Sequence, residues 1–453
     1  MAVEPARGAL DWGVSMTTAL SLPDEPHEKN LRRAVIASTI GTAIEWYDFF
    51  LYGIAAGLIL PKLFFPQTDP FSATIGSLIT FAVGFVARPV GAAIFGHYGD
   101  RIGRKASLVA TLMLMGVATF AVALVPTYDS IGIWGAVLLA LLRIIQGIGV
   151  GGEWGGAVLM SMEWTRTNKH RGFAASWPQF GVPLGLALAN LVVLGVSYAT
   201  GPDFETYGWR IPFFLSLLLV GVGMYIRLGV VETPTFRKLQ ETNQIAEAPM
   251  LEVIKRHPKE ILLSALARTG ENASFYIFTT FILAYGTQFL KYDRNVLLEA
   301  LVVGALFGFI WIPLAGWLSD RIGRRRMYLS GVVATAFFAF AYFWLLGLSS
   351  GAVFLAIAAS LLVHSMMYGP QAALIAESFT GRLRYSGASI GYQLTAIVAG
   401  GPAPIVAAYL LRETGTAYSI AGYVAVCCVI SVIATLMLKD RTGQDIDSEK
   451  EYR

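Results

Sequence analysis

The sequence predicts an all-α integral membrane protein with twelve transmembrane helices in two six-helix halves. Three observations support this fold class: a strongly apolar composition, twelve apolar blocks, and a charged motif that occurs twice. Of the 453 residues, 55% are hydrophobic and 14% are charged, and the mean hydropathy is +0.59. Soluble domains carry about 25% charged residues. The composition is therefore typical of a chain that lies mostly in lipid.

The apolar residues come in continuous blocks of roughly 20 residues or more, and each is long enough to cross ~30 Å of hydrocarbon as a helix. A membrane β-barrel would instead show short segments of alternating polarity, so helices are favoured. The blocks cover residues 34–60, 73–95, 106–126, 131–154, 172–198, 209–230, 260–290, 295–317, 328–348, 352–376, 386–411 and 417–438.

The charges predict how these helices are threaded. With the N-terminus in the cytoplasm, 26 of the 34 Lys and Arg residues fall on the cytoplasmic side, five fall on the outer side, and three lie inside spans. This bias fits the positive-inside rule. We therefore expect a multi-pass protein of the inner (plasma) membrane with both termini in the cytoplasm. The N-terminal stretch has no basic region followed by a short apolar core, so no cleaved signal peptide is predicted.

A charged motif is repeated after the second and the eighth block. "GHYGDRIGRK" begins at Gly96 and "GWLSDRIGRR" at Gly316. The pairs that match at a separation of 220 residues are Gly96/Gly316, Asp100/Asp320, Arg101/Arg321, Gly103/Gly323 and Arg104/Arg324. A second repeat, after the fourth and tenth blocks, relates Glu163 to Glu377 and Arg171 to Arg384.

These repeats predict two parallel six-helix bundles joined by a polar linker. The expected divisions are a cytoplasmic tail (1–33), the first bundle (34–230), the linker (231–259), the second bundle (260–438) and a cytoplasmic tail (439–453). In such a plan the substrate site lies between the bundles near mid-membrane, and access alternates as they rock.

The repeated pattern G-x-x-x-D-R-x-G-R-[KR] resembles the signature of the major facilitator superfamily, and "RIIQGIGVGGEWGG" (143–156) is similar to that superfamily's fourth-helix motif. Together with "EWYDFFLYG", "GWRIPF", "ETPTF" and "RYSGASIGYQ", the chain resembles the metabolite:proton symporter family over about 38–437. Members of that family take up osmolytes or organic acids. By this resemblance, twelve of these residues form a cytoplasmic gate that is closed by charge contacts in the outward-facing state: Gly96, Asp100, Arg101, Gly103, Arg104, Glu163, Arg171, Asp320, Arg321, Arg324, Glu377 and Arg384.

Acidic side chains inside an apolar helix are functional candidates, because burying a charge in lipid is costly. In "GTAIEWYDFFLYG", Glu45 and Asp48 lie about 16 and 21 Å into the first span and share one helix face. We expect that face to line the central cavity. Glu153 is expected at or beyond the inner boundary of the fourth span. The three carboxyls are the proton-coupling candidates, with Asp48 preferred and Glu45 tuning it.

Two buried arginines, Arg88 and Arg143, are candidates for gripping a carboxylate with paired N–H donors. The alternative is that they neutralise Glu45 and Asp48 as ion pairs. Likewise, Arg268 and Glu271 are spaced to pair with each other, and His364 suits either titration or an interhelical hydrogen bond. The substrate-binding candidates are Arg88, Arg143, Tyr52, Gln179, Asn272, Tyr276, Tyr368, Gln371, Tyr392 and Gln393.

The motifs that are absent narrow the function further. The sequence has no Walker motif, no metal-ligand spacing and no nucleophile elbow. We therefore expect no enzyme and no cofactor, with the proton gradient as the energy source. The prediction is a monomeric, proton-coupled importer of a small organic acid or zwitterion that binds no nucleic acid. The alternatives are a proton-coupled efflux antiporter, to which "GVPLG" (181–185) is a partial likeness, and a transporter-like solute sensor.

Overall fold

The computed structural model describes residues 24–163, 170–229, 231–241 and 249–444, and all regular secondary structure in these ranges is helical. Within these ranges, ten helices are long and apolar enough to cross a membrane. Two further spans complete the predicted twelve: the first, which begins with charged residues, and the seventh, which is divided into short pieces. The ends of the predicted tails (1–23 and 445–453) and residues 164–169 of the second repeat lie outside the described residues.

The first six spans form the N-terminal half. They are α1 (Asp24–Leu58), α2 (Pro70–Ile102), α3 (Arg104–Leu124), α4 (Trp134–Met162), α5 (Arg171–Thr200) and α6 (Ile211–Leu228). Short helices at Leu60–Phe64 and Tyr128–Ile131 and two 3₁₀ turns, Gly201–Phe204 and Gly208–Arg210, lie between spans. Helix α1 begins ten residues before the predicted boundary at Ala34, because hydropathy marks the edge of the hydrocarbon and a helix can continue into water.

The last six spans form the C-terminal half. Span α7 (258–288) consists of Pro258–Ala267, Thr269–Tyr276, a π-helical turn at Ile277–Phe281 and Ile282–Gln288. Then follow α8 (Arg294–Ile322), α9 (Arg324–Leu346), α10 (Ser350–Ala376), α11 (384–414) and α12 (Tyr418–Met437). Span α11 has the same design as α7, with Arg384–Thr395, a π-helical turn at Ala396–Gly400 and Pro402–Thr414. Such turns often mark functional sites.

The two halves meet along paired helices, with α5 against α8 and α2 against α11. Glycines of the repeated motif lie at both contacts. A Cβ built on Gly96 would lie 3.4 Å from Ser386 Cα, and one on Gly316 would lie 2.6 Å from Ser176 Cβ. Small residues here let the backbones approach closely. We call the end of the bundle that carries the turns at Gly103 and Gly323 the motif face.

The linker is partly folded rather than only a polar connector. Helices Pro234–Glu241 and Pro249–Arg256 lie on the motif face, and Val253 of the second helix is buried. Arg382 donates to Glu252 Oε2 at 2.9 Å and joins that helix to the C-terminal half. The last described residues also pack on this face, since Gln444 O accepts from Arg171 Nη2 at 2.7 Å.

Candidate functional site

Aromatic rings fill the seam between the halves near its middle. Phe49 and Phe50 of α1 and Phe85 of α2 face Phe275 and Tyr276 of α7, with ring centroids 5.9 Å apart for Phe50–Phe275 and 4.8 Å apart for Phe85–Tyr276. These rings are buried. The seam is therefore closed by apolar contacts where the sequence predicts the substrate site.

Two arginines lie inside this aromatic cluster. The Cζ atoms of Arg88 and Arg143 lie 4.4 and 4.2 Å from the centroid of the same ring, Phe49. Arg88 also lies 4.3 Å from Phe85, and Arg143 lies 4.6 Å from Tyr52. The two side chains are 2% and 0% exposed. Ring faces, rather than carboxylates, are therefore the partners of these cations.

Several N–H donors of the two guanidiniums are unused. Arg88 Nε and Nη2 and Arg143 Nη2 have no hydrogen-bond partner among the described residues, and neither do Asn272 Oδ1 and Tyr276 OH. The alternative in which these arginines neutralise Glu45 and Asp48 is wrong for this structure, because no ion pair joins them within the described ranges. Buried donors without partners are costly, so this arrangement favours an anionic ligand.

A hydrogen-bonded chain runs from Arg143 to Thr119, which lies next to Asp48. Arg143 Nη1 donates to Gln146 Oε1 at 2.9 Å, and Gln146 Nε2 donates to Thr119 Oγ1 at 2.8 Å. The Thr119 hydroxyl lies beside Asp48 and donates its single proton to Met115 O at 2.9 Å. Sequence reasoning missed Gln146 and Thr119. A signal for Gln146 was present, since it is a polar residue one helical turn from Arg143 in an apolar span.

The expectation that Glu45 and Asp48 line the central cavity is wrong. Both side chains are buried inside the N-terminal half, with Asp48 toward Thr119 of α3 and Glu45 toward Glu153 of α4. The residues of α1 that face the other half are aromatic or small, as in the contact of Gly53 with Thr280. Burial within one bundle shields a carboxyl from lipid as well as a cavity between bundles does.

Glu153 is buried inside the N-terminal half. It is 2% exposed, its Oε1 accepts from Arg227 Nη2 of α6, and its Oε2 accepts from Thr111 Oγ1 at 3.2 Å. Arg227, at the end of α6, is one of the 26 Lys and Arg residues that the sequence places on the cytoplasmic side. In the structure it is 3% exposed and turned into the bundle. The position of Arg227 at the end of a span therefore did not predict its contact with Glu153.

The polar residues of the C-terminal half converge on Glu271. Its carboxylate contacts Arg268 at 3.2 Å and His364 Nε2 at 3.0 Å, and it accepts from Gln371 Nε2 at 3.0 Å. The Arg268 guanidinium also covers the ring of Tyr392 at 3.3 Å. The pairing alternative for Arg268 and Glu271 thus describes the structure, and His364 makes an interhelical contact.

A polar layer between the aromatic cluster and the motif face joins the halves. Trp154 Nε1 donates to Gln179 Oε1 at 2.9 Å, and Gln179 Nε2 donates to Tyr368 O at 3.3 Å. The Trp154 ring stacks on Tyr392 with centroids 3.7 Å apart. Gln393 Nε2 reaches Val150 O at 3.3 Å. Candidates from both halves therefore meet here, together with Trp154, which sequence reasoning missed.

On the motif face, each repeated aspartate caps a helix of the other half. Asp100 accepts from Ser386 N at 3.2 Å, in the first turn of α11. Asp320 accepts from Gly172 N and Phe173 N, both at 2.9 Å, in the first turn of α5. A carboxylate at a helix N-terminus is a favourable partner for its free N–H groups.

The repeated arginines and glutamates complete these contacts. Arg324 pairs with Asp320 at 2.8 Å and with Glu377 at 2.6 Å, and Glu377 also pairs with Arg171 of the other half at 3.0 Å. In the N-terminal half, Arg104 lies 3.5 Å from Asp100 and 3.7 Å from Glu163. Arg384 donates to Phe379 O at 3.3 Å. Arg101 and Arg321 are exposed at the ends of α2 and α8.

The opposite face is also bridged. Gln288 Nε2 of α7 donates to Thr74 Oγ1 of α2 at 3.0 Å, and Tyr198 OH of α5 donates to Glu299 Oε1 of α8 at 2.9 Å. Contacts between the halves therefore close both ends of the seam, and the aromatic cluster lies between them.

A model of the Major Facilitator Superfamily matches residues 38–402. The chain belongs to this superfamily. The match confirms the predicted superfamily and fold class. The twelve helices of this fold include α1, which begins with charged residues, and α7, which contains a π-helical turn. The metabolite:proton symporter family within it is confirmed by the relatives described next.

The shikimate transporter of Escherichia coli K12 is 40% identical over 416 residues, which cover 90% of this chain and 94% of the transporter. The metabolite transport protein YhjE of the same strain is 39% identical over 424 residues, 91% and 95% of the two chains. The proline/betaine transporter of that strain is 33% identical over 430 residues, 92% and 85% of the two chains.

Solved structures of the superfamily agree in fold. The proton:xylose symporter XylE bound to 6-bromo-6-deoxy-D-glucose superposes with a TM-score of 0.74 at 16% identity, covering 94% of this chain and 100% of XylE. A partially occluded, inward-open form of E. coli XylE gives a TM-score of 0.70 at 18% identity, covering 92% and 100%. As a major facilitator, this protein is a multi-pass membrane secondary transporter of a small molecule and not an enzyme.

Proposed function

We propose that this transporter takes up a small organic acid or zwitterion together with protons, by alternating access. The observation that carries the proposal is the pair of buried guanidiniums, Arg88 and Arg143, whose free N–H groups lie at the seam between the halves. Shikimate, proline and betaine, the solutes named for the relatives, each carry a carboxylate. A carboxylate is the group that matches those donors.

The substrate carboxylate takes the unused donors of Arg88 and Arg143, and the rings of Phe49 and Phe85 move apart to admit it. Asn272 Oδ1 and Tyr276 OH, which lack partners in the closed seam, receive the polar groups of the substrate from the C-terminal half. Residues of both halves then hold one substrate molecule, so the substrate binds the closed arrangement more tightly than either open one. Alternating access requires such a difference in affinity between conformations.

Asp48 carries the coupling proton in this scheme. Protonated Asp48 donates to Thr119, whose own proton goes to Met115 O, and Gln146 then holds Arg143 in place. When Asp48 loses its proton, the Thr119 hydroxyl turns and donates to the Asp48 carboxylate. This rotation changes the direction of the lone pairs on Thr119 Oγ1 and weakens the hydrogen bond that Oγ1 accepts from Gln146 Nε2. The grip of Arg143 on the substrate therefore depends on the proton.

The motif face is the cytoplasmic face in this proposal, as the positive-inside rule predicts. Both termini then lie in the cytoplasm of a bacterial cell, in the inner membrane. The protein works as a monomer, because each six-helix half supplies part of one site and the site needs no second chain. The closed seam corresponds to an occluded state between outward-facing and inward-facing forms.

The first test uses purified protein in proteoliposomes with an imposed proton gradient. Shikimate, proline and glycine betaine are offered, and their accumulation is measured with and without the gradient.

We expect Asp48→Asn to abolish gradient-driven accumulation but to keep counterflow exchange within about twofold, since exchange needs no net proton release. The variant Glu413→Gln, at an exposed glutamate near the end of α11, is the control. If no solute in a wider carboxylate and betaine panel responds to the gradient, symport is wrong. If accumulation survives in Asp48→Asn, Asp48 does not carry the proton.

A further inference from the structure

We propose that Lys62, Lys291 and Arg294 form a capture site for organic anions on the outer face, at the end of the closed seam. A solute carboxylate replaces Glu205 there as the partner of Lys62 and Arg294. The inference rests on the proposed uptake of a carboxylate solute, and it narrows the substrate class to organic acids with a net negative charge.

A cavity lies between the halves at the end of the seam opposite the motif face. Its volume is about 320 Å³, and small-molecule sites typically have volumes of about 300–1,000 Å³. The N-terminal half contributes the end of α1 and the loops after α1 and α5, and the C-terminal half contributes the end of α7 and the start of α8. The polar residues of the lining are Lys62, Glu205, Thr287, Gln288, Lys291 and Arg294.

The charge of this cavity is unusual for the outer face. Five of the 34 Lys and Arg residues fall on the outer side of the predicted topology, and three of the five line this cavity. Glu205 is the one carboxylate among the described lining residues, so the lining carries a net positive charge. A cleft lined by one sign of charge concentrates ions of the opposite sign. The cavity therefore attracts anions.

Glu205 connects the halves through two of these cations. Its Oε1 lies 2.6 Å from Lys62 Nζ, within the N-terminal half, and 3.6 Å from Arg294 Nη1 of the C-terminal half. The Lys62 and Glu205 side chains are 60% and 40% exposed. Exposed ion pairs contribute little to stability, so a solute carboxylate can take the place of Glu205. Arg294 stays in position because its Cζ also lies 4.6 Å from the centroid of the Phe204 ring.

Lys291 supplies a cation that Glu205 does not neutralise. It has no ion-pair partner in the described part of the chain, since both ion pairs of Glu205 are to other residues. Its φ is 60°, and no other non-glycine residue in the described ranges has a positive φ. Glycine or asparagine usually occupies such a position at the end of a helix. A lysine retained in a strained backbone conformation indicates a role for its side chain.

The other carboxylates near the cavity already have partners. Asp69 lines an adjoining cavity that also contains Lys291, and it caps α2 by accepting from Phe71 N at 3.1 Å. Asp293 caps α8 by accepting from Asn295 N at 2.7 Å. Both carboxylates are thus held by the N–H groups of helix N-termini. Glu205 is the carboxylate that a solute has to displace.

Capture of an anion also affects the closure of the seam. When a carboxylate binds Lys62 and Arg294, Glu205 is released and the ionic contact between the halves is lost. Gln288, which lines the cavity, still holds the halves together by donating to Thr74 Oγ1 at 3.0 Å, a single neutral hydrogen bond that is readily exchanged. A zwitterion has no net charge and its ammonium group is repelled by the three cations, so the site selects organic anions.

Amine labelling of the full-length protein in lipid nanodiscs tests the site directly. Shikimate and benzoate, two carboxylates with one net negative charge, are the probes, and mass spectrometry measures the labelling rate of each lysine. We expect both probes to slow labelling of Lys62 and Lys291 about three- to tenfold, because a bound carboxylate keeps the amines protonated. Lys259, exposed on the motif face, is the control and should be unaffected.

The outcomes of this labelling are decisive in either direction. Glycine betaine at the same ionic strength should leave the rates at Lys62 and Lys291 unchanged, and equal protection by betaine would refute the selection of anions. Unchanged rates at both lysines with both carboxylates would overturn the capture site. Neither outcome depends on transport.

Transport by Lys291→Gln is the second experiment. At low shikimate concentration and low ionic strength, we expect initial uptake to fall about three- to tenfold, because one cation less attracts the anion. The maximal rate should stay within about twofold, since the cation acts on capture. The difference should disappear near ~1 M salt, where the Debye length is about 3 Å. Arg412→Gln removes an exposed cation that does not line the cavity and is the matched control.

The two experiments separate this inference from the proposed function. A wild-type protein that accumulates no carboxylate with a proton gradient would refute the proposed function, and the labelling result would still decide the capture site. Unchanged uptake at low concentration in properly folded Lys291→Gln, or an equal loss in Arg412→Gln, would refute only the capture site.

Discussion

At the scale of single residues, Phe49 contacts both of the buried cations that we propose bind the substrate carboxylate. Its ring lies 4.4 Å from the Cζ of Arg88 and 4.2 Å from that of Arg143. A desolvated cation–π contact contributes about 2 kcal/mol. A charge-assisted hydrogen bond to a carboxylate adds about 1.5–3 kcal/mol, so in the proposed scheme a substrate anion binds in addition to the ring contact.

The substitution Arg143→Lys tests this arrangement. Lysine keeps the charge but lacks the planar, paired donors that reach both Gln146 and a carboxylate. We expect the half-saturation concentration for uptake to rise about 10- to 100-fold, the equivalent of one charge-assisted hydrogen bond. Arg412→Lys, an exposed arginine over Phe71, is the matched control. Unchanged half-saturation in Arg143→Lys would remove Arg143 from the substrate site.

The same residues mark where sequence reasoning reached its limit. Charged residues inside apolar spans identified Arg88, Arg143, Glu45, Asp48 and Glu271, because burying charge in lipid is costly. Their partners were not predictable from spacing along the chain. Arg227 looked like a loop cation at the end of a span, although its long side chain reaches back to Glu153.

At the scale of elements, the repeated turns on the motif face depend on glycine. Gly103 between α2 and α3 has φ 115° and ψ 155°, and Gly323 between α8 and α9 has φ 99° and ψ 138°. This backbone region is essentially restricted to glycine. The repeated glycine in D-R-x-G-R therefore sets the direction in which α3 and α9 return into the membrane.

We expect Gly323→Ala to destabilise the protein by about 1–3 kcal/mol, the cost of a strained backbone conformation. Thermal unfolding in detergent, followed by fluorescence and size-exclusion chromatography, measures the shift. Gly221→Ala in α6 is the control, because a Cβ there meets no atom within 4 Å and its φ lies outside the positive range. Equal melting temperatures for the two variants would show that the turn tolerates a side chain.

Helix existence was predictable from apolar blocks, but helix interruptions were not. Spans α7 and α11 each contain a π-helical turn, at Ile277–Phe281 and Ala396–Gly400. A π-helical turn adds one residue to a helical turn without changing the hydropathy of the segment, so the hydropathy pattern does not predict where it occurs. The structure alone reveals that both interruptions occur in the helices that face α1 and α2 across the seam.

At the scale of the whole molecule, several of the predicted gate residues form contacts between the halves. Asp320 caps α5 and Asp100 caps α11, so each half holds the first turn of a helix from the other. Glu377 adds an ion pair to Arg171 across the interface and one to Arg324 within its own half. These contacts stabilise the arrangement in which the motif face is closed.

Weakening this set should populate the form open to the cytoplasm. We expect Glu377→Gln to raise the open fraction about tenfold or more, since each lost charged hydrogen bond contributes about 1.5–3 kcal/mol. Ser176→Cys, buried where α5 meets α8, reports opening through its rate of labelling by a thiol reagent from the motif face. Cys427 and Cys428 are replaced by serine in this background. Glu413→Gln, at an exposed glutamate on the opposite face, is the control. Equal labelling rates for Glu377→Gln and this control would contradict the gate role.

The sequence by itself determined the fold class, the twelve spans, the twofold repeat and the set of buried charges. Each of these follows from local physics: the length of an apolar run, the cost of charge in lipid, and repetition along the chain. Only the tertiary structure decided which charges meet. Glu45 and Asp48 share a helix face, yet neighbouring helices bring Glu153 and Arg227 to one and Thr119 to the other. Partners from distant segments are chosen by helix packing, which spacing along one helix does not contain.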